Sequence, residues 1–384
     1  MHVCLFCRFQ KGVNAMNPSI GNSQLCFIFV HGFQGWGSYD SKYQKTPYWG
    51  MRGGDLIAWL WQNGFQAYAA SVDPIGSVWD RACELYAQLA GKRTDYGIAH
   101  SREYNHPRYG RDFTGNPLIP SFDDKTGIVL IGHSFGGITA NLFAELMANG
   151  SAAEQEATDP EDLSPLFQGG MGDRIRSIAG IAAGFNGNSS YEIPEDYRIR
   201  GNDLKLPWYS RFADALLRKG GKVDPEDPRD PRDYAEYDMH IDRAAEINQT
   251  ISVLPHVLYL SVPCSYTVRT KAGYYVPEKN MEPMFLLKSA EMGRFACTTE
   301  HGHKVDAHWW QNDGRVNTIS EKAPFNAPQT PLDRDNLRTG VWNVFPVYHG
   351  SHMSLQGGLT VQNDIRPFYE DLLSMIAGFE ETRI

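Results

Sequence analysis

The chain is poor in cysteine, in clustered positive charge and in long apolar runs. Its six cysteines (Cys4, Cys7, Cys26, Cys83, Cys264 and Cys297) in 384 residues are too few and too scattered for a disulfide scaffold. Cys4-x-x-Cys7 has metal or redox spacing but no second pair and no βαβ context, and reads as tail. Cys83 falls inside a helical pattern and reads as apolar filler. With 36 Lys and Arg against 45 Asp and Glu, the formal charge is −9. The absence of a dense basic block excludes nucleic acid as the main partner and suits a neutral small-molecule substrate. The densest apolar stretch, residues 25–30, is far too short to span a bilayer, so no transmembrane segment is expected. Residues 3–7, VCLFC, are shorter than a signal core and precede no small-residue cleavage site, so no export leader is expected in the chain as written. Met16 is an alternative start, and residues 1–21 read as a disordered tail. No repeat or heptad is present, and a monomer is expected.

What the chain does have is alternation. Residues 24–32 and 65–74 read as buried strands, and residues 54–64 and 77–91 as helices, the second with Ser77 as N-cap. Residues 174–184 and 255–263 add strands. Strands alternating with helices predict an α/β fold with a mostly parallel sheet covered on both faces, in one domain over 22–384. Two stretches interrupt it. Residues 92–126 lose all periodicity in a polar loop. Residues 186–236 read as a Pro-rich, charged linker around an amphipathic helix, in which Trp208, Phe212, Ala215, Leu216 and Lys219 share one face. That pattern suits a lid or a docked surface helix equally.

Between strand and helical patterns lies GHSFG, with Gly132 and Gly136 flanking Ser134. A serine held on a tight strand-to-helix turn between small residues is a nucleophile elbow. Such a hydroxyl needs an imidazole to take its proton and a carboxylate to orient the imidazole, in the chain order Ser, Asp or Glu, His. Asp313 in an Asn-Asp-Gly turn supplies the carboxylate. His349 and His352 both follow an apolar run, and composition does not choose between them. Two backbone amides, of Phe33 in the glycine-rich 31–37 turn and of Phe135 after the serine, are the expected oxyanion-hole donors.

The series FVHGFQGWG, YWGMRGGDLIAWLWQNG, VWDRACELYAQL, TDYGIAHSREYNHPRYGR, LSPLFQGG, YYVPEKNM, NDGRVNT and GVWN resembles the zinc-containing bacterial lipases of the thermoalkalophilic Bacillus/Geobacillus group and their staphylococcal relatives. The likeness runs from about residue 25 to the C-terminus. It implies an α/β-hydrolase fold and a lipase or esterase acting on triacylglycerols, other apolar esters or polyesters. It implies Ser134, Asp313 and His352 as catalytic triad and a structural zinc held by Asp80, His100, His106 and Asp238, which would pin the 92–126 insertion. Trp79 would pack beside that zinc. The carboxylates that bind calcium in the family are replaced by Ser354 and Leu359, so calcium is not expected. The lid region is shorter and more charged than the family's, which favours an esterase with transient contact to a lipid interface. Relatives of this type imply secretion, although a cytoplasmic location fits the missing leader. The alternatives are acyl transfer, thioester or amide cleavage on the same triad, and a non-catalytic binding scaffold.

Overall fold

The computed structural model describes residues 19–20, 23–197, 206–207, 209–220, 227–361 and 363–383. The tail cysteines Cys4 and Cys7, Met16 and Trp208 lie outside them.

The expected alternation is present. Strand β1 (Ser23–Val30) leads through helix α1 (Leu56–Gln62) to β2 (Ala67–Ala70) and helix α2 (Val78–Ala90). Strand β3 (Thr126–His133) runs straight into helix α3 (Phe135–Asn149). Strands β4 (Ile175–Ile181), β5 (Leu258–Val262), β6 (Gln329–Pro331) and β7 (Trp342–Val344) follow, and helix α4 (Arg366–Glu381) closes the chain. The sheet order is β2-β1-β3-β4-β5-β7-β6, all parallel, with the two-residue strand Ser19–Ile20 antiparallel to the start of β1.

Because the central strands are covered on both faces, their sequences are apolar throughout instead of alternating. Cys26, Ile28 and Val30 of β1 join Val78, Leu85, Leu89, Phe143 and Leu146 of α2 and α3 in one core. Leu25, Phe27 and Phe29 point the other way, into a second core with Trp49, Leu60, Tyr369, Leu372 and Ile376. Each of these large side chains contributes about 1.5–3 kcal/mol by leaving water. Local signals set the helix ends. Ser77 Oγ accepts from the Asp80 amide at 3.2 Å, and Gly91 stops α2 with φ 59°.

Two stretches depart from expectation. Residues 92–126 are not irregular: Arg93–Asp95 pairs antiparallel with Tyr109–Asp112 around a short helix, Ile98–Glu103. These elements are too short to show periodicity, and bonds such as Arg108 to Asp95 at 2.8 Å hold them. In 186–236 the helix Ser210–Gly220 forms, but Phe212 and Leu216 face solvent while Asp214 is buried. At the outer ends of this stretch Asn186, Asn188 and Ser189 on one side and Asp233, Tyr234 and Ala235 on the other are buried.

Candidate active site

Parallel α/β sheets carry their ligands beyond the carboxyl ends of the strands, and there β3 turns into α3 through Ser134. The serine has φ 56° and ψ −129°, a left-handed conformation costly for any residue with a Cβ. The glycines are required by crowding. A Cβ on Gly132 would lie 2.4 Å from the Gly136 carbonyl oxygen and the Gly137 nitrogen, and one on Gly136 would lie 2.1 Å from the Val30 carbonyl oxygen. The elbow is therefore wedged against the end of β1. The Ser134 amide donates to Ile181 of β4 at 2.9 Å, which fixes the turn from the other side.

His352 Nδ1 donates to Asp313 Oδ2 at 2.6 Å, and the His352 amide donates to the Asp313 carbonyl at 2.9 Å. Asp313 is wholly buried, and its Oδ1 accepts from the amides of Arg315 at 2.8 Å and Val316 at 2.7 Å. Burial alone would raise this carboxyl, but the His352 ring and the two amides outweigh it and hold the group below the ordinary carboxylate range. His349, the other histidine the pattern allowed, is largely exposed and bonds Glu278 at 2.7 Å. Ser134 and His352 line one cavity of about 410 Å³, together with Phe33, Trp36, Met51, Tyr191, Phe285 and Val316. Met284 and Leu359 bring exposed apolar surface to its wall. The Phe33 turn lies against the elbow, because a Cβ on Gly32 would come within 2.7 Å of Ser134 Cβ.

Several residues that brace this centre escaped sequence reading. His133 Nε2 lies 2.8 Å from the His352 carbonyl oxygen and Nδ1 lies 2.7 Å from Tyr48 Oη. A carbonyl only accepts, so Nε2 carries the proton and Tyr48 donates to Nδ1. Tyr48 Oη in turn accepts from the Gly32 amide at 3.1 Å. One chain of bonds thus ties the Phe33 turn, the elbow and the His352 loop. Burial, with the His352 charge adding, pushes the His133 imidazole down to about 3, so it is neutral. Arg81, fully buried on α2, bonds the His31 carbonyl, the Asp73 carbonyl at 2.7 Å and Thr139 Oγ1 of α3 at 3.0 Å.

The neighbouring residue on α2 belongs to a different cluster. Asp80, His100, His106 and Asp233 bring one ligand atom each to within 4.8 Å of one another. His100 Nε2 lies 3.2 Å from Asp80 Oδ1 and from Asp233 Oδ1, and His106 Nε2 lies 3.4 Å from Asp233 Oδ2. His106 Nδ1 donates to the Pro107 carbonyl at 2.9 Å, which turns its Nε2 lone pair inward. Asp80 Oδ1, both Asp233 carboxylate oxygens and both Nε2 atoms are buried without a hydrogen-bond partner. Burial would lower His100, but the Asp233 and Asp80 carboxylates override it and raise the ring to about 9, a sign that the cluster calls for positive charge. These groups can hold a metal ion. Trp79 stacks on His100, ring centres 5.1 Å apart.

The fourth position corrects the sequence expectation: it is Asp233 and not Asp238. Asp238 ends the short helix Ala235–Asp238 and its Oδ2 accepts from the Val78 amide at 2.7 Å, capping α2, while Arg243 Nε pairs with Oδ1 at 3.3 Å. The Gly76–Tyr234 bridge pins the chain just after Asp233 and aims that carboxylate at His100 and His106. Spacing alone gave no way to separate two aspartates on opposite sides of one helical turn.

Comparison with known proteins places the chain. A family model described as the lipase-like C-terminal domain matches residues 23–200 and 223–374. Lipase 2 of Staphylococcus aureus is 30% identical over 348 residues, covering 84% of this chain and 49% of the relative. A lipase of Staphylococcus epidermidis is 29% identical over 343 residues, covering 84% and 48%. The chain thus spans about half the length of these curated relatives. Among solved structures, EstA of Clostridium botulinum superposes with a TM-score of 0.79 at 28% identity, covering 94% of this chain and 88% of that one. The Staphylococcus hyicus lipase gives 0.78 at 26% identity, covering 97% and 99%. The resemblance read from the motifs is thereby borne out, and the chain belongs to the lipase-like C-terminal domain family.

Proposed function

We propose that the protein is a serine carboxylic-ester hydrolase, a lipase or esterase that works through an acyl-enzyme on Ser134. The observation that carries this is the 2.6 Å bond from His352 to the buried Asp313 carboxylate, on a histidine that shares an apolar cavity with the strained Ser134 turn. Ser134 Oγ attacks the ester carbonyl as His352 Nε2 takes its proton. Asp313 holds the ring in the required tautomer and stabilises the imidazolium. The amides of Phe33 and Phe135 receive the oxyanion, and a pair of such donors is worth several kcal/mol in the transition state. His352 then protonates the departing alcohol and activates the water that frees the acid. The cavity wall of Phe33, Trp36, Met51 and Phe285 suits an acyl chain in preference to a charged substrate.

The metal that Asp80, His100, His106 and Asp233 hold is zinc in this reading. Two imidazoles and two carboxylates suit it, and a tetrahedron with ligands at about 2.0–2.1 Å separates them by roughly 3.3 Å, close to three of the contacts here at 3.2–3.4 Å, with His106 to Asp80 wider at 4.0 Å. None of the four lines the Ser134 cavity, so the ion supplies a structural clamp between α2, the 92–126 insertion and residue 233. Among the described residues no helix is long and apolar enough to cross a membrane. Secretion and a monomeric state belong to the same proposal and are read by cell fractionation and sedimentation.

The test is hydrolysis of p-nitrophenyl esters of rising acyl length, with wild type beside Ser134→Ala, with and without an emulsified lipid phase. Turnover lost in the variant supports the reading, and the chain-length optimum divides esterase from lipase. A folded, zinc-loaded wild type no faster than Ser134→Ala on every ester would refute it.

A further inference from the structure

Asp313 has a second titratable neighbour. Glu321 is wholly buried, and an oxygen of its carboxyl, an oxygen of Asp313 and a ring nitrogen of His352 lie within 4.8 Å of one another. Two buried carboxylates so close do not both ionise, because burial magnifies their repulsion. Their partners decide which keeps the proton. Asp313 accepts from two amides and from His352. Glu321 accepts only from the Cys264 amide, at 2.5 Å on Oε2, and its buried Oε1 has no hydrogen-bond partner as an acceptor. A bare buried carboxylate oxygen is costly. A proton on the carboxyl makes it a donor, and an oxygen of the Asp313 carboxylate lies within 4.8 Å of one of its oxygens.

We propose that Glu321 is a positioning residue of the triad, carrying its proton and donating it in a hydrogen bond to the Asp313 carboxylate. The proposal rests on the reading of Ser134, His352 and Asp313 as the catalytic groups. The other titratable neighbours fit it. Burial pushes the Cys264 thiol well above its ordinary range, so it is neutral. His133 is neutral as well, and the His352 ring hydrogen-bonds to Asp313 and lies within 4.8 Å of Glu321. Burial together with the Asp313 charge likewise pushes the Glu321 carboxyl far above the ordinary range. A carboxylate that accepts an O–H bond is a weaker base. Glu321 therefore limits how strongly Asp313 holds the protonated imidazole.

Two variants separate this role from packing. Glu321→Gln keeps both bonds, with its amide nitrogen donating to Asp313 and its oxygen accepting from Cys264. Glu321→Met keeps the approximate shape and loses both. The expected kcat/KM on a soluble ester is within about threefold of wild type for Glu321→Gln and roughly tenfold down for Glu321→Met. The acid limb of the Glu321→Met profile moves up by about half a pH unit or more. The wild-type minus Glu321→Gln infrared difference spectrum at neutral pH shows the carbonyl stretch of a protonated carboxylic acid. Absence of that band overturns the proposal, as does a Glu321→Gln profile displaced as far as that of Glu321→Met. If Glu321→Met does not fold, the glutamine variant and the band decide. Wild type no more active than Ser134→Ala would end the hydrolase reading, while the band would still report the proton on Glu321.

Discussion

Among the described residues two buried clusters join carboxylates to imidazoles as possible ligand sets, and they differ in how the protein satisfies them. At Asp313 the oxygens meet donors supplied from within: two amides and the His352 ring. At Asp80, His106 and Asp233 acceptors are turned toward acceptors, buried and without hydrogen-bond partners. A cluster that moves a proton has to hold each tautomer with internal donors, whereas one that holds a cation leaves its lone pairs bare. Under the proposed function the same residue types carry opposite chemistry, and the hydrogen-bond accounting tells them apart.

The comparison breaks most sharply at the triad. Asp313→Asn keeps an oxygen for the Arg315 and Val316 amides, so the fold should survive. The amide cannot hold the His352 tautomer, and kcat should fall about 10⁴-fold. An activity loss below tenfold on a soluble ester would remove Asp313 from the mechanism. At the other cluster, Asp233→Asn should weaken zinc binding by roughly 100-fold or more, since a neutral amide replaces a charged ligand. Asp238→Asn should retain one equivalent of zinc and cost about 1 kcal/mol through the weakened α2 cap. Metal analysis of the two purified variants sharpens the assignment, and the reverse result would restore Asp238 as the ligand.

Ser134 and the strand–turn–helix around it were legible because the glycine spacing answers a local steric demand. Asp313 was legible as a turn carboxylate. The choice between His349 and His352 was not, since both follow the same apolar run, and it took the family resemblance to favour the one that the fold brings to Asp313. The outline of β1 to β5 was legible from apolar content. The hairpin inside 92–126 was not, because its strands are three and four residues long. Tyr48, His133, Arg81 and Glu321 left no signal at all. Their roles exist only through contacts such as His133 to His352, 219 positions apart, or Tyr48 to His133, 85 apart. Asp238 shows the converse error, a correct residue type assigned one helical turn too far along.

Acid should expose a further difference in wiring. The buried His133 ring is pushed from the ordinary 6.5 down to about 3. Between those values the unfolded chain binds a proton that the folded chain refuses. Its contribution to stability is therefore complete above pH 6.5 and is lost as pH falls toward 3, at up to about 1.4 kcal/mol per pH unit. His133→Gln keeps a donor for the His352 carbonyl and has nothing to titrate. Urea unfolding between pH 5 and 7 should show a flatter slope for this variant than for wild type, by up to one proton. Equal slopes would mean that His133 accepts a proton in the folded protein.

The mildest expected effect on turnover lies at Tyr48. Tyr48→Phe removes both the bond to His133 Nδ1 and the acceptor for the Gly32 amide but keeps the ring packed edge-on against Trp36 and Trp49. His133 still donates to the His352 carbonyl, so the triad stays assembled. The Gly32 amide and the turn that carries Phe33 lose their tether. The cost should be about 1–3 kcal/mol of stability and, under the proposed mechanism in which the Phe33 amide meets the oxyanion, a fall in kcat of roughly tenfold or less with KM nearly unchanged. A rise in KM at constant kcat would instead place the Phe33 turn in substrate binding and leave the oxyanion to other donors.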